Sequence, residues 1–185
     1  MGDATAPHGV PGSVPLPSPF ANDLVALLPR LRRFARALSG SADRADDLVQ
    51  SACERALRAQ ASFVPGTRLD AWMFRIIRNL WIDGLRADGG GARRQVPIEE
   101  ADAVTAPHGP AAAEAALALD DVRRAMAALP EPQREIIVLV CIEGLSYREA
   151  AEVLDVPIGT VMSRLARARL ALAAAIDPHR EGSGG

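Results

Sequence analysis

The chain has 185 residues, 49% hydrophobic and only 4% aromatic, with Ala and Leu prominent, a composition that favours helices over strands. A formal net charge of −2 excludes a generally adhesive polycation, although all 21 basic residues are arginines, which suit forked phosphate and base contacts. No apolar run approaches the roughly 20 residues a membrane span needs, and no basic-then-apolar leader opens the chain. Cys53 and Cys141 lack a second Cys or a His at ligand spacing, so the expectation is plain buried thiols in a reducing cytoplasm, with no metal site.

Charge is unevenly spread. Residues 22–87 hold 11 Arg against 7 acids, residues 88–121 hold 2 against 7, and residues 122–176 hold 7 against 6. Two mildly basic blocks separated by an acidic stretch fit two nucleic-acid-facing modules joined by a spacer.

Residues 1–19 are rich in Pro, Gly and Ser and are expected to be disordered. From Asn22, the residues Leu24, Leu27, Leu28, Leu31, Phe34, Ala35 and Leu38 recur on one helical face, and Pro29 must bend this helix or lie in its first turn. A second helix is expected over 44–59, with Leu48, Val49, Ala52, Cys53, Ala56 and Leu57 buried. A third is expected over 69–86, with Leu69, Trp72, Met73, Ile76, Ile77 and Leu80 facing inward. Three such helices close a small bundle, which sets a first domain at 20–87. Gly89-Gly90-Gly91 opens an acidic, Ala/Pro-rich linker over 88–111.

Order is expected to resume over 112–176, before a disordered tail at 177–185. A helix reaches Leu129, and Pro130-Glu131-Pro132 breaks and restarts the chain. The next helix runs to Ile142 and stops at Gly144, in the favoured place for a left-handed cap. Residues 145–165 then have the grammar of a helix-turn-helix. Ser146 and Glu149 form a capping box, Ala150 and Ala151 are small where two helices meet, and Asp155-Val156-Pro157 supplies the turn. Val153, Leu154, Val156, Val161 and Leu165 fix the crossing angle. The second helix presents Thr160, Ser163, Arg164, Arg167 and Arg169 away from that apolar set, as a major-groove recognition helix does.

Two separate motif sets now carry a family resemblance. Leu129-Pro-Glu-Pro-Gln-Arg-Glu, the helix-turn-helix and Gly159-Thr-Val-Met-Ser-Arg-Leu-Ala-Arg-Ala-Arg resemble region 4 of extracytoplasmic-function (ECF) sigma factors. Ala45-Asp-Asp-Leu-Val-Gln, with Phe63, Trp72, Asn79, Asp83 and Arg86 at their spacings, resembles region 2 of the same family, and the alphaproteobacterial general-stress-response branch is similar. The resemblance covers roughly residues 20–87 and 115–174. It implies an all-α protein of two small helical domains that carries no catalytic residue, cofactor or small-molecule substrate. Its implied partners are core RNA polymerase, promoter DNA and an anti-sigma factor that clamps the domains together.

The resemblance further implies that Asp47 and Gln50, with Asp46 and Glu54 beside them, face the polymerase clamp, and Ser51 stands where relatives often carry Glu. Phe63, Arg75, Arg78, Asn79 and Arg86 would capture unwound −10 DNA. An aromatic ring offers a stacking surface, Asn satisfies a base edge, and Arg follows the sugar-phosphate chain. For Phe63 a place in the core is an equally good reading, and Trp81 fits either core or contact. Thr160, Ser163, Arg164, Arg167 and Arg169 would face the −35 element, with Met162 standing where relatives often place a basic residue. A conventional helix-turn-helix repressor explains residues 145–170 but leaves both motifs of the first domain unexplained. A sigma-mimicking adaptor would call for a receiver domain of its own.

Overall fold

The structure, a computed structural model, describes residues 19–87 and 110–176, and all regular structure in them is helical. Expectations for the N-terminal segment, most of the linker and the C-terminal tail lie outside the described residues.

The first lobe is built from α1 (Pro19–Ser39), α2 (Ala42–Arg58) and α3 (Leu69–Ala87). Pro29 lies well inside α1. The carbonyl that its missing N–H cannot reach belongs to Val25, an exposed residue, so the proline falls on the solvent side of the helix where it is best tolerated. Gly40, at φ 72°, turns the chain sharply into α2, and the buried Ser39 hydroxyl donates to the Ser41 carbonyl at 2.9 Å. Leu31, Phe34 and Leu38 of α1 pack with Met73, Phe74 and Ile77 of α3, and Phe34 meets Phe74 edge-on at 5.0 Å. α2 contributes Ala45, Val49, Ala52 and Ala56, small residues that let the three axes approach closely.

That stripe corrects the expectation for α2, because Leu57 is 49% exposed and Cys53 only half-buried. A helix needs one buried residue per three or four, and the alanine register already fills that face. Phe74, absent from the expected inward set of α3, is completely buried.

The second lobe contains α4 (Pro110–Ala128), α5 (Glu131–Ile136), a π-helical turn (Ile137–Ile142), α6 (Tyr147–Leu154) and α7 (Ile158–Ile176). The widening after Ile136 was not expected. Residues 134–139 are buried without a break, because α5 and the turn after it are sandwiched between α1 and α7. A regular helix buries one stripe, and this segment must bury both sides. Gly144, at φ 71°, ends it in the left-handed cap read from the sequence. Cys141, in the same segment, is exposed, which corrects its expected burial.

The lobes pack directly on each other. α3 lies against α6, α1 lies against α5, and one hydrophobic cluster runs through both lobes. No helix among the described residues is long and apolar enough to cross a membrane.

Candidate nucleic-acid and polymerase interface

Three helices carry the candidate residues. On α2, Asp46, Asp47, Gln50 and Glu54 are all exposed on the face turned away from α1 and α3. Asp46 pairs with Arg32 at 2.9 Å and Glu54 with Arg58 at 3.1 Å. Gln50 Nε2 donates weakly to Glu54 at 3.4 Å, so acid and amide form one continuous polar surface.

On α3, a rotation of about 100° per residue places Arg75, Asn79 and Arg86 within a wedge of about 40°. All three are exposed. Arg78 projects off the other edge of that wedge, toward the second lobe. Its side chain is 14% exposed and its Nε lies 3.9 Å from the Glu135 carboxylate, too far for a hydrogen bond. Three of the four polar −10 candidates therefore form one open stripe, while Arg78 is drawn into the seam between the lobes.

Phe63 is half-buried. Its ring lies 5.4 Å from Trp72 and 5.8 Å from Phe20, and Phe20 meets Trp72 at 6.3 Å. The three rings pin the loop after α2 onto the start of α1 and onto α3, which is the core alternative read from the sequence. Trp81 points to the seam, where its indole N–H donates to Glu131 at 3.0 Å.

The helix-turn-helix is locally determined. Ser146 Oγ accepts from the Glu149 N–H at 3.2 Å, and Glu149 accepts from the Ser146 N–H at 2.7 Å, a closed capping box. The Ser146 hydroxyl and amide hold the Glu149 carboxyl below its ordinary range. Asp155 takes up the left-handed conformation at φ 47°, and the Val156 N–H returns to the Ala151 carbonyl at 3.1 Å. Ala150, Val153, Leu154, Val161 and Leu165 are buried between the helices.

On α7, Thr160, Ser163, Arg164 and Arg167 share one outward patch. Arg167 folds along its own helix, Nε donating to the Ser163 carbonyl at 3.2 Å and Nη2 to Ser163 Oγ at 3.4 Å. Arg164 is half-buried beside the seam and acts electrostatically on Glu135. Arg169 does not join the patch. It lies about 200° around the helix from Arg167, with Nη2 at 3.8 Å from Cys141 Sγ. Met162, exposed and about 20° around the helix from Arg169, adds an apolar contact surface to that second flank.

The seam itself was not anticipated. Glu143, Glu131 and Glu135 of the second lobe and Arg30, Arg33 and Arg68 of the first all face it. The only sequence signal was a carboxylate (Glu143) sitting just before a helix-ending glycine. Burial pushes Glu135 up to about 7, against the charge of Arg78, with Glu131 adding to the rise and Arg164 and Arg134 opposing it. Among the described residues, no group of three His, Cys, Asp or Glu side chains is placed to hold a metal ion.

The arrangement offers an acidic and amide surface for a protein partner, a cationic stripe for a single strand, and a recognition helix for a duplex. The family model for Sigma-70 region 2 matches residues 24–90, and that for Sigma-70 region 4 matches residues 119–172. The chain is 43% identical over 161 residues to the ECF RNA polymerase sigma factor EcfG of Rhodopseudomonas palustris, covering 87% of each chain. It is 38% identical over 144 residues to the ECF RNA polymerase sigma factor SigM of Mycobacterium tuberculosis, covering 78% of this chain and 70% of that one. Among solved structures, the sigma factor RpoE of Bartonella quintana, crystallised with the anti-sigma factor NepR, superposes with a TM-score of 0.70 at 37% identity, over 87% of this chain and 98% of that one. The chain belongs to the ECF family of RNA polymerase sigma factors.

Proposed function

We propose that the chain directs core RNA polymerase to promoters through a division of labour between its two lobes. The first lobe, residues 20–87, docks on the polymerase clamp through Asp46, Asp47, Gln50 and Glu54. Its Arg75, Asn79 and Arg86, with Arg78 and the Phe63 loop, hold the unwound −10 strand. The second lobe, residues 112–176, reads the −35 duplex with Thr160, Ser163, Arg164 and Arg167, and Arg169 reaches phosphate from the other flank. Residues 88–111 join the two. The observation that carries this reading is the pairing, on one chain, of a capped helix-turn-helix with a separate open stripe of Arg75, Asn79 and Arg86. A repressor needs the first and has no use for the second.

The protein contributes recognition and leaves phosphodiester chemistry to the polymerase, so it acts in the cytoplasm, where that enzyme works. An anti-sigma factor of the kind crystallised with the Bartonella relative holds it in reserve, and the likeness to EcfG supports a role at stress-responsive promoters. In vitro transcription tests the reading. Purified chain and core polymerase are combined on genomic fragments and start sites are mapped. Initiation at discrete sites absent with core alone is expected. An adaptor that only binds regulators gives none.

A further inference from the structure

The loop between α2 and α3 is a rigid object fastened to its lobe by one side chain. Residues 60–67 are all exposed except Phe63, which is half-buried. The hydrogen bonds that shape the loop close within it. The Ser62 hydroxyl donates to the Ala59 carbonyl at 2.7 Å, and the Phe63 N–H donates to the Gln60 carbonyl at 3.1 Å. The Thr67 hydroxyl and N–H both reach the Val64 carbonyl, at 2.7 Å and 3.2 Å. Pro65 and Gly66, the latter at φ 87°, fill the two central places of that turn, where a fixed φ and then a positive φ are wanted. Such local bonds set the shape of the loop but not its place on the lobe. Its place is set by the Phe63 ring, which lies 5.4 Å from Trp72 of α3 and 5.8 Å from Phe20 of α1.

We propose that Phe20 is a positioning residue for capture of the −10 strand: its ring closes the outer side of the cluster, fixes the loop beside the Arg75 and Asn79 face of α3, and so pre-shapes the place where an everted base is held. Three observations lead there. Phe20 stands one turn before the buried Leu24 and shares its face of α1, so the ring is carried by a core helix and not by the loop it holds. Trp72 lies about 20° around α3 from Asn79 and about 10 Å before it along the axis, so a loop pinned on Trp72 sits on the same side as the open stripe. With the Phe63 ring held between two others, the loop turns outward its backbone and Val64, which is 64% exposed. Phe63 therefore serves capture as an anchor beneath the loop, and not as the surface on which a base stacks.

An everted base gives up its stacking and pairing, and only contacts already in place offset that loss. A loop that must first be ordered binds more weakly by the cost of ordering it. Trp72 supports one side of the Phe63 ring. Removing the Phe20 ring leaves the other side to water, and the loop can then swing on Trp72 with its internal bonds intact. The loss falls on −10 capture and spares the recognition helix α7 and the far side of α2, which stand on other elements. The role in capture rests on the function proposed above, whereas the clamp on the loop does not.

The test pairs two measurements on Phe20→Ala and on Phe20→Tyr, which keeps a ring. Amide order parameters of the full chain compare residues 60–67 with α1, α2 and α3. Binding is measured with the chain on core polymerase, using a single-stranded non-template oligonucleotide that carries the −10 segment of a start site mapped as above, and copies with one abasic position each. Phe20→Ala should lower the order parameters of the loop while the three helices keep theirs. It should weaken the intact oligonucleotide about threefold to tenfold and lose the discrimination of the wild type against an abasic site at the captured position. Phe20→Tyr should behave as the wild type in both. If Phe20→Ala loses helix, Phe20→Leu, which keeps apolar bulk without a ring, should show the same pattern at smaller size. Equal weakening of intact and abasic oligonucleotides is a general defect and overturns the proposal. So does a folded variant whose loop is as ordered as the wild type, even where binding falls, because Phe20 would then act on the DNA directly. Wild-type holoenzyme that ignores every abasic position sinks the −10 reading and the capture role with it, whereas a loosened loop in Phe20→Ala would still uphold the ring clamp.

Discussion

Arg78 of α3 stands 3.9 Å from Glu135 of α5, so a cation expected to follow the −10 strand is opposed, in the closed chain, by a buried carboxyl of the promoter-reading lobe. Four charged groups, Arg78, Arg134, Glu131 and Arg164, act on Glu135. The pair is too long for a hydrogen bond, and burial dominates, pushing the Glu135 carboxyl up to about 7.

A pH dependence follows. The folded value lies above the ordinary 4.5 of an unfolded glutamate, so between those two values the folded chain keeps a proton that the unfolded chain has released. The stabilisation is complete below about 4.5 and is lost as pH rises to about 7, on the order of 3 kcal/mol at most. Urea midpoints should therefore fall between pH 5.5 and pH 8, and Glu135→Gln should flatten the profile. Equal midpoints in the wild type, or an unchanged slope in the variant, would remove Glu135 as the cause.

The capping box gives a second expectation. Ser146→Ala removes the acceptor for the Glu149 N–H at the start of α6, a loss of about 1 kcal/mol in chemical denaturation. Glu149 keeps its carboxylate, so the Arg68 contact survives and scattering should show the same compactness. A neutral effect on stability would mean that α6 is held by packing alone.

What was legible in the sequence and what was not divides along range. Ser146 with Glu149, the left-handed Gly144 and the turn at Asp155 are chemistry within a few residues, and each is where the sequence put it. The apolar rhythm of α1 was equally plain, with Leu31, Phe34 and Leu38 buried as expected. Leu57 and Cys141 were misread because periodicity alone cannot say which of two adjacent stripes the neighbours fill. The π-helical turn escaped for a related reason: continuous burial from Arg134 to Leu139 requires a second wall, supplied by α1. The candidate site was legible by residue type but not by arrangement. Glu143 meets Arg33 across 110 positions and Arg134 donates to the Ala37 carbonyl across 97, and nothing local distinguishes such side chains from solvated ones.

On α7 the two outer arginines should behave differently. Arg167 shares its patch with Thr160, Ser163 and Arg164, so Arg167→Ala should cost about 1–3 kcal/mol of promoter binding and relax preference at one −35 position. Arg169, on the Cys141 flank, should act through phosphate, and Arg169→Ala should weaken binding evenly and lower the salt slope by about one charge. Titrations of −35 duplexes at several salt concentrations separate the two. Identical behaviour of both variants would show that the patch drawn here is not the reading face.

The polymerase surface can be separated from the seam between the lobes. α2 packs against α1 and α3 and carries Asp47 on its far side, remote from the seam residues Arg30, Arg33 and Glu143. Asp47→Arg places a cation in the middle of the surface formed by Asp46, Gln50 and Glu54, where a basic clamp surface would repel it, while core and seam stay untouched. Co-purification with core polymerase should be lost with helix content and compactness unchanged. Asp46→Ala should do less, because Asp46 already spends its charge on Arg32 at 2.9 Å in an exposed pair, and such pairs contribute about 0–1 kcal/mol. Retention of polymerase by Asp47→Arg would move the docking surface off α2.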